Sequence, residues 1–138
     1  MTAAVIVRGL KKSYGGRPVL DGIDLDIKKG EIFALLGSNG SGKTTALECI
    51  EGLRKFDGGT VRLYGRTGVQ LQTSSLPSHI KPMEAARLFA AWNHAPLDTE
   101  MLDAFGIRAL RKKYCELSTG QKRRLHLALA LINNPGIL

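Results

Sequence analysis

The stretch Gly37-Ser38-Asn39-Gly40-Ser41-Gly42-Lys43-Thr44 (GSNGSGKT) decides the reading of this chain. It meets the phosphate-loop pattern G-x-x-x-x-G-K-[ST] at every fixed position, and its flanks have the right character. Glu31 to Leu36 before it is apolar and strand-like; Thr45 to Ile50 after it puts Leu47 and Ile50 on one helical face. A glycine loop between a strand and a helix start is the setting in which the motif carries chemistry. Gly37, Gly40 and Gly42 let the backbone curl, so that N–H groups converge at the positive end of a helix dipole, a site suited to phosphate. Lys43 adds a full charge for the outer phosphates, and Thr44 a hydroxyl for an accompanying magnesium ion.

Composition narrows the class. The 138 residues suffice for one domain with a real core, and a hydrophobic content of 43% argues against disorder. No apolar run approaches the ~20 residues needed to cross a bilayer. The N-terminus, MTAAVIVRGLKK, has its basic residues after a short apolar stretch, the reverse of a signal peptide, so a cytoplasmic location is expected. Cys49 and Cys115 have no metal-ligand spacing. The net charge of +8 is spread over pairs such as Lys11-Lys12 and Arg54-Lys55, densest at Lys122-Arg123-Arg124, with few aromatics between them. That pattern describes a solvated surface, and a nucleic-acid partner is not expected.

Outward from the loop, Ala3 to Leu10 reads as a first strand, Lys11 to Pro18 as a loop turning at Gly15-Gly16, and Val19 to Ile27 as a half-buried strand in which Ile23, Leu25 and Ile27 alternate with acids. The phosphate-loop helix should stop at Gly52. Gly58-Gly59 reads as a turn, and Thr60 to Tyr64 and Gly68 to Gln72 as short strands. Helices follow over Met83 to Trp92 (Ala85, Leu88, Phe89 and Trp92 on one side), Leu97 to Phe105, and Leu117 to Ile132. Gly136-Ile137-Leu138 begins another strand. An apolar segment at that point is unlike a surface terminus, so a longer parent chain is expected.

A second motif, LSTGQ, opens the long helix at Leu117 to Gln121. Ser118-x-x-Gln121 is a capping box, which leaves Gly120 unexplained unless something approaches the backbone there. A phosphate loop followed by LS-x-GQ resembles the nucleotide-binding domain of an ABC transporter, over essentially the whole chain. The resemblance implies an α/β phosphate-loop NTPase fold with an N-terminal antiparallel β part and a helical subdomain, incomplete at the C-terminus. Its parts would be a β-rich portion with the phosphate loop (about 1–72), a helical subdomain (about 73–116), and the signature helix with the start of the Walker B strand (117–138).

The same resemblance implies site residues. Tyr14 sits where the family stacks an aromatic on adenine. Gly37, Ser38, Asn39, Gly40, Ser41, Gly42, Lys43, Thr44 and Thr45 form Walker A. Gln72 (Gln70 being the alternative) is the Q-loop glutamine, which with Lys43 serves catalysis and with Thr44 the metal. Ser118, Gly120 and Gln121 form the signature, which closes over the γ-phosphate held by a second nucleotide-binding domain in a head-to-tail dimer; Thr119 stands where glycine is commoner. The Walker B aspartate and catalytic glutamate would lie past Leu138, so these residues alone are expected to be inactive, with Glu48, Glu51 and Glu116 the nearby carboxylates. His79, His94 and His126 match no switch histidine and read as surface or loop residues. The implied function is ATP binding, with magnesium, and hydrolysis that powers export through a separate transmembrane permease subunit, with a location at the cytoplasmic face of the membrane. The wording around GVQLQTSSLP is similar to ATPase subunits of bacterial multidrug or antibiotic exporters. The rivals are a soluble ABC-type ATPase acting on ribosomes or nucleic acid, and a non-catalytic nucleotide-binding module.

Overall fold

The structure is a computed structural model and describes residues 2–70 and 75–138. It divides into two compact units, residues 1–65 and 66–138.

The first unit is built on a three-stranded antiparallel sheet of order β2-β1-β3, formed by β1 (Ala3–Tyr14), β2 (Arg17–Lys28) and β3 (Gly58–Leu63). β1 is central: Val5 lies opposite Ile27 and Leu63, and Val7 opposite Leu25 and Val61. These β-branched and aliphatic cross-strand sets suit a half-buried pleated surface, and β2 shows the expected alternation of half-buried Ile23, Leu25 and Ile27 with exposed Asp24 and Asp26. The strands run further than the sequence pattern indicates. Instead of a loop over 11–18, Tyr14 pairs with Arg17 across a two-residue turn. Gly15 and Gly16 have φ of 53° and 78°, the left-handed pair that a type I′ hairpin needs and that matches strand twist. Gly58-Gly59 is not a turn either; it opens β3. At Gly59 (φ 92°) a Cβ would stand 2.4 Å from the Gly9 carbonyl oxygen. The glycine serves a close backbone crossing at an irregular register between Arg8 and Lys11.

α1 (Lys43–Ile50) packs against β2. Its buried residues are Ala46 and Cys49, whereas Leu47 is exposed. This corrects the expected Leu47–Ile50 face, because small side chains allow a helix to sit close to a sheet. Gly52 follows it with φ 78°. Glu31 to Leu36 forms no strand: Ile32 is 99% and Leu36 88% exposed. A strand exists through its ladder, and no described strand pairs with this segment.

The second unit has an all-helical core. α2 (Pro82–Trp92), α3 (Thr99–Ala104) and α4 (Thr119–Leu131), with a 3₁₀ turn at Tyr114–Glu116, enclose Ala85, Ala86, Leu102, Ile107, Leu125 and Ala128. α2 packs on α4 through alanines, so Leu88 (52% exposed) and Trp92 (75%) face outward rather than joining Ala85 on the buried side as the periodicity implied. α3 is shorter than the expected 97–105 helix because Asp98 caps it, accepting from the Met101 N–H at 2.9 Å. Of the expected strand over Gly68 to Gln72, the described residues 68–70 form none, and the preceding Thr67 makes an isolated parallel bridge with Ile137. Gly68 N–H donates to the Ile137 carbonyl at 2.8 Å, and Ile137 N–H to Arg66 at 3.1 Å. The expected strand at Gly136-Ile137-Leu138 is likewise no more than this isolated bridge, made with Thr67 and not with Glu31 to Leu36. Leu71 and Gln72 lie outside the described residues.

Candidate nucleotide site

The phosphate loop ends on Gly42, which caps α1 from the left-handed region (φ 95°). A Cβ there would lie 3.1 Å from the Val19 carbonyl oxygen and 3.2 Å from Leu20 Cδ2, so both dihedral and space demand glycine. The turn before it is closed by Ser41 N–H donating to the Ser38 carbonyl at 3.2 Å. Lys43 Nζ folds back over the loop and donates to the carbonyls of Gly37 and, at 2.7 Å, Ser38. A full charge is thereby held within the ring of loop backbone at the positive end of α1. Ser38, Asn39, Gly40 and Ser41 are exposed around it, and Thr44 and Thr45 stand in the first helical turn. This is a donor-rich, glycine-permitted cradle of the kind that receives a phosphate chain. Among the described residues no group of three or more His, Cys, Asp or Glu could hold a metal ion by itself. The exposed Thr44 in the first turn of α1 carries a hydroxyl that would suit a magnesium ion arriving with a nucleotide.

The three carboxylates within reach of the sequence argument have other duties. Glu48 takes Arg54 Nε at 2.5 Å. Glu116 accepts from Lys113 N–H at 2.9 Å. Glu51 is half-buried, and burial first, then the neighbouring Glu48 charge, pushes its carboxyl above the ordinary range.

Tyr14 ends β1 with its ring partly exposed, and two cations lie over it: Lys12 Nζ at 5.1 Å and Arg54 at 5.7 Å from the centroid. The sequence reading missed this surround, including Asp57, which accepts from Ser13 N–H at 2.6 Å and pairs with Lys12 at 3.5 Å.

In the second unit, Ser118 caps α4 by a reciprocal pair of bonds. Its Oγ accepts from Gln121 N–H at 3.2 Å, and Gln121 Oε1 accepts from Ser118 N–H at 2.9 Å. Ser118, Thr119 and Gly120 are exposed, and a Cβ added at Gly120 would meet nothing within 4 Å. The cap uses two donors, while the N–H groups of Thr119 and Gly120 have no carbonyl within the helix to take them. Gln72 lies outside the described residues, and Gln70 is exposed. His79 and His94 are exposed as expected. His126 is not a surface or loop residue: it is half-buried on α4, 2.8 Å from the Tyr114 hydroxyl and edge-on to that ring, and burial lowers its pKa.

A mixed α/β frame with a loop-capped helix and a lysine folded into the loop fits a phosphate-loop NTPase. The chain belongs to the ABC transporter family, whose pattern matches residues 20–138. It is 36% identical to the Nod factor export ATP-binding protein I of Paraburkholderia xenovorans (strain LB400), spanning 99% of this chain and 51% of that protein. It is 30% identical to the lantibiotic transport ATP-binding protein SrtF of Streptococcus pyogenes, over 96% of this chain and 63% of that one. It is also 36% identical to the aliphatic sulfonates import ATP-binding protein SsuB of Corynebacterium glutamicum, over 98% and 58%. The chain therefore spans roughly half to two-thirds of the length of these relatives. The fold matches that of a nucleotide-free ATP-binding cassette from an ABC transporter, with a TM-score of 0.81, 23% identity, and coverage of 97% of this chain and 66% of that one.

Proposed function

We propose that the protein binds ATP with magnesium at Gly37 to Thr45 and, in its intact form, hydrolyses it to drive transport through a separate transmembrane permease subunit. The single observation that carries this reading is the helix start at Gly42, left-handed and tight against Val19 and Leu20, with Lys43 drawn across the loop carbonyls. Tyr14 stacks on the base, Thr44 and Gln72 complete the magnesium shell, and Gln72 with Lys43 orients the reacting phosphate. The helix start at Ser118, Gly120 and Gln121 closes over the γ-phosphate held by a second copy in a head-to-tail dimer; the exposed, uncrowded Gly120 supports that role. The three parts expected from the sequence, about 1–72, 73–116 and 117–138, are taken as the β-rich, helical and signature portions of one nucleotide-binding domain.

Leu88 and Trp92, exposed on α2, support a docking face for the permease, which would hold the protein at the cytoplasmic side of the membrane. No helix among the described residues is long and apolar enough to cross a membrane. Export is the favoured direction because the Paraburkholderia relative and two further relatives are named for Nod factor export, against two named for sulfonate import. The test is calorimetric titration of the intact protein with MgATP, expected to give one site per copy. The absence of heat and of any competition with a fluorescent ATP analogue overturns the reading. Cysteines introduced at Ser78 and Arg87 should crosslink to the permease's cytoplasmic loops; crosslinks only from 11–17 would move the docking face.

A further inference from the structure

The surround of Tyr14 is built more carefully than an exposed tyrosine at a hairpin end requires. Lys12 and Arg54 both lie over the ring, and each is anchored by its own carboxylate. Arg54 is held by Glu48 at 2.5 Å, and its backbone N–H donates to the Glu48 carbonyl at 3.1 Å, so the segment after α1 is fastened to the helix twice. Lys12 pairs with Asp57 at 3.5 Å. Asp57 is itself fixed to β1 on both sides, accepting from Ser13 N–H at 2.6 Å and donating its own N–H to the Lys11 carbonyl at 2.8 Å. The Lys12 side chain is only 15% exposed despite its charge, so the ammonium is placed rather than dangling in solvent. Glu48 stands on α1, the helix whose first residue is the phosphate-loop lysine. A chain of contacts thus runs from the helix that begins at the phosphate loop, through Glu48 and Arg54, to the ring of Tyr14.

We infer that Arg54 and Lys12, anchored by Glu48 and Asp57, are positioning residues that set the Tyr14 ring to receive a nucleobase at a fixed distance from the phosphate loop. The inference rests on the reading of Tyr14 as the base-stacking residue. A cation over an aromatic face is attracted by the ring's electron-rich surface and restrains its tilt. A ring restrained before the ligand arrives loses less freedom on stacking, so affinity rises without any new contact to the base. The anchor on α1 also makes the ring and the phosphate cradle parts of one rigid piece, so a ligand that fits both gains more than one that fits the cradle alone.

The experiment compares affinities of the intact protein for MgATP and for magnesium tripolyphosphate, which carries the phosphates without the base. Arg54→Ala should weaken MgATP binding about two- to fivefold, the range of an exposed cation–ring contact, and leave tripolyphosphate unchanged. Arg54→Lys, which keeps the charge, should recover most of the loss. In the Tyr14→Ala background Arg54→Ala should cost nothing further, the signature of residues acting through one another. Should Arg54→Ala melt before titration, Glu48→Gln leaves Arg54 in place but loosely held and is expected to give the same ATP-selective loss. An Arg54→Ala protein with an unchanged ratio of the two affinities, while Tyr14→Ala collapses that ratio, overturns the positioning role and leaves base stacking standing. Equal losses for both ligands would mean damage to α1 and also overturn it. A Tyr14→Ala protein with an unchanged ratio removes the base-stacking reading and this inference with it.

Discussion

Two of the helix starts in this molecule, those of α1 and α4, solve the same problem in opposite ways. Every α-helix begins with unpaired N–H groups and a partial positive charge. At α1 the chain answers with backbone: a left-handed Gly42, a closed turn from Ser41 to Ser38, and the Lys43 ammonium tied to loop carbonyls. At α4 it answers with side chains, the reciprocal Ser118–Gln121 bonds, and adds no charge within the motif. The first start concentrates positive charge on itself and is suited to hold an anion unaided. The second is already capped, offers only the remaining N–H groups of Thr119 and Gly120, and is suited to meet an anion that another surface has bound. The same asymmetry shows in the space around the last glycine of each motif, tight at Gly42 with its positive φ and open at Gly120.

Removing the charge from the first start should have the largest effect. A unit pair near 4 Å is worth up to ~4 kcal/mol at intermediate dielectric, before desolvation. Lys43→Ala in the intact protein should therefore weaken MgATP binding between tenfold and about a thousandfold, by calorimetry. An unchanged affinity would make the two helix starts equivalent and end the phosphate-loop assignment.

At the second start the expected effect is on association. Ser118→Arg should leave MgATP affinity of a single copy nearly intact but weaken ATP-driven dimerisation by about tenfold or more, since a bulky cation then blocks contact with the partner's nucleotide. Light scattering with a slowly hydrolysed analogue measures it. Normal dimers would return LSTGQ to a cap and nothing else.

Much of this contrast was legible in the sequence. GSNGSGKT fixed the loop, the helix after it and the need for glycine, because those depend on local dihedrals. The capping box at Ser118 and Gln121 was legible for the same reason. What the sequence hid were features set by distant chain. Nothing local shows that a Cβ at Gly59 would collide with the Gly9 carbonyl oxygen, that Asp57 would clasp Ser13, or that Arg54 would lie over Tyr14. Of the expected face on α2, Ala85 and Phe89 do turn to the core, whereas Leu88 and Trp92 face outward, because the alanines of the same helix permit closer packing. Glu31 to Leu36 had the composition of a strand, and composition cannot supply a ladder partner.

A smaller effect tests how rigidly the first start is built. Gly42→Ala places a methyl 3.1 Å from the Val19 carbonyl oxygen at a φ of 95°, which should lower stability by about 1–3 kcal/mol. Urea unfolding followed by far-UV circular dichroism measures it. Gly120→Ala, where the backbone is helical and space is open, should cost nothing measurable in the same assay; equal losses would erase the contrast.

The smallest expected effect concerns pH and belongs to α4 alone. His126 is pinned to the Tyr114 hydroxyl at 2.8 Å, and burial lowers its pKa below the ordinary 6.5. In the unfolded chain the imidazole takes a proton near its ordinary value; in the fold it resists. Between the folded and unfolded pKa values the unfolded state binds more protons, so stability rises with pH there. Its contribution is therefore fully present above about 6.5 and is lost progressively as pH falls below that. Glu51 acts in the opposite sense, because its raised carboxyl pKa makes the folded state the better proton binder at acidic pH. The two can be separated, since Glu51 belongs to residues 1–65 while His126 and Trp92, the sole tryptophan, belong to 66–138. Tryptophan fluorescence during urea unfolding from pH 7.5 down to pH 5.5 should show a falling midpoint in the wild-type protein. His126→Gln, which carries no titrating group, should flatten that slope even if its midpoint at pH 7.5 is lower from the altered contact with Tyr114. A slope unchanged by His126→Gln would mean that the imidazole binds its proton equally well in the folded and unfolded chain, and that the burial of His126 contributes nothing to the pH dependence of this unit.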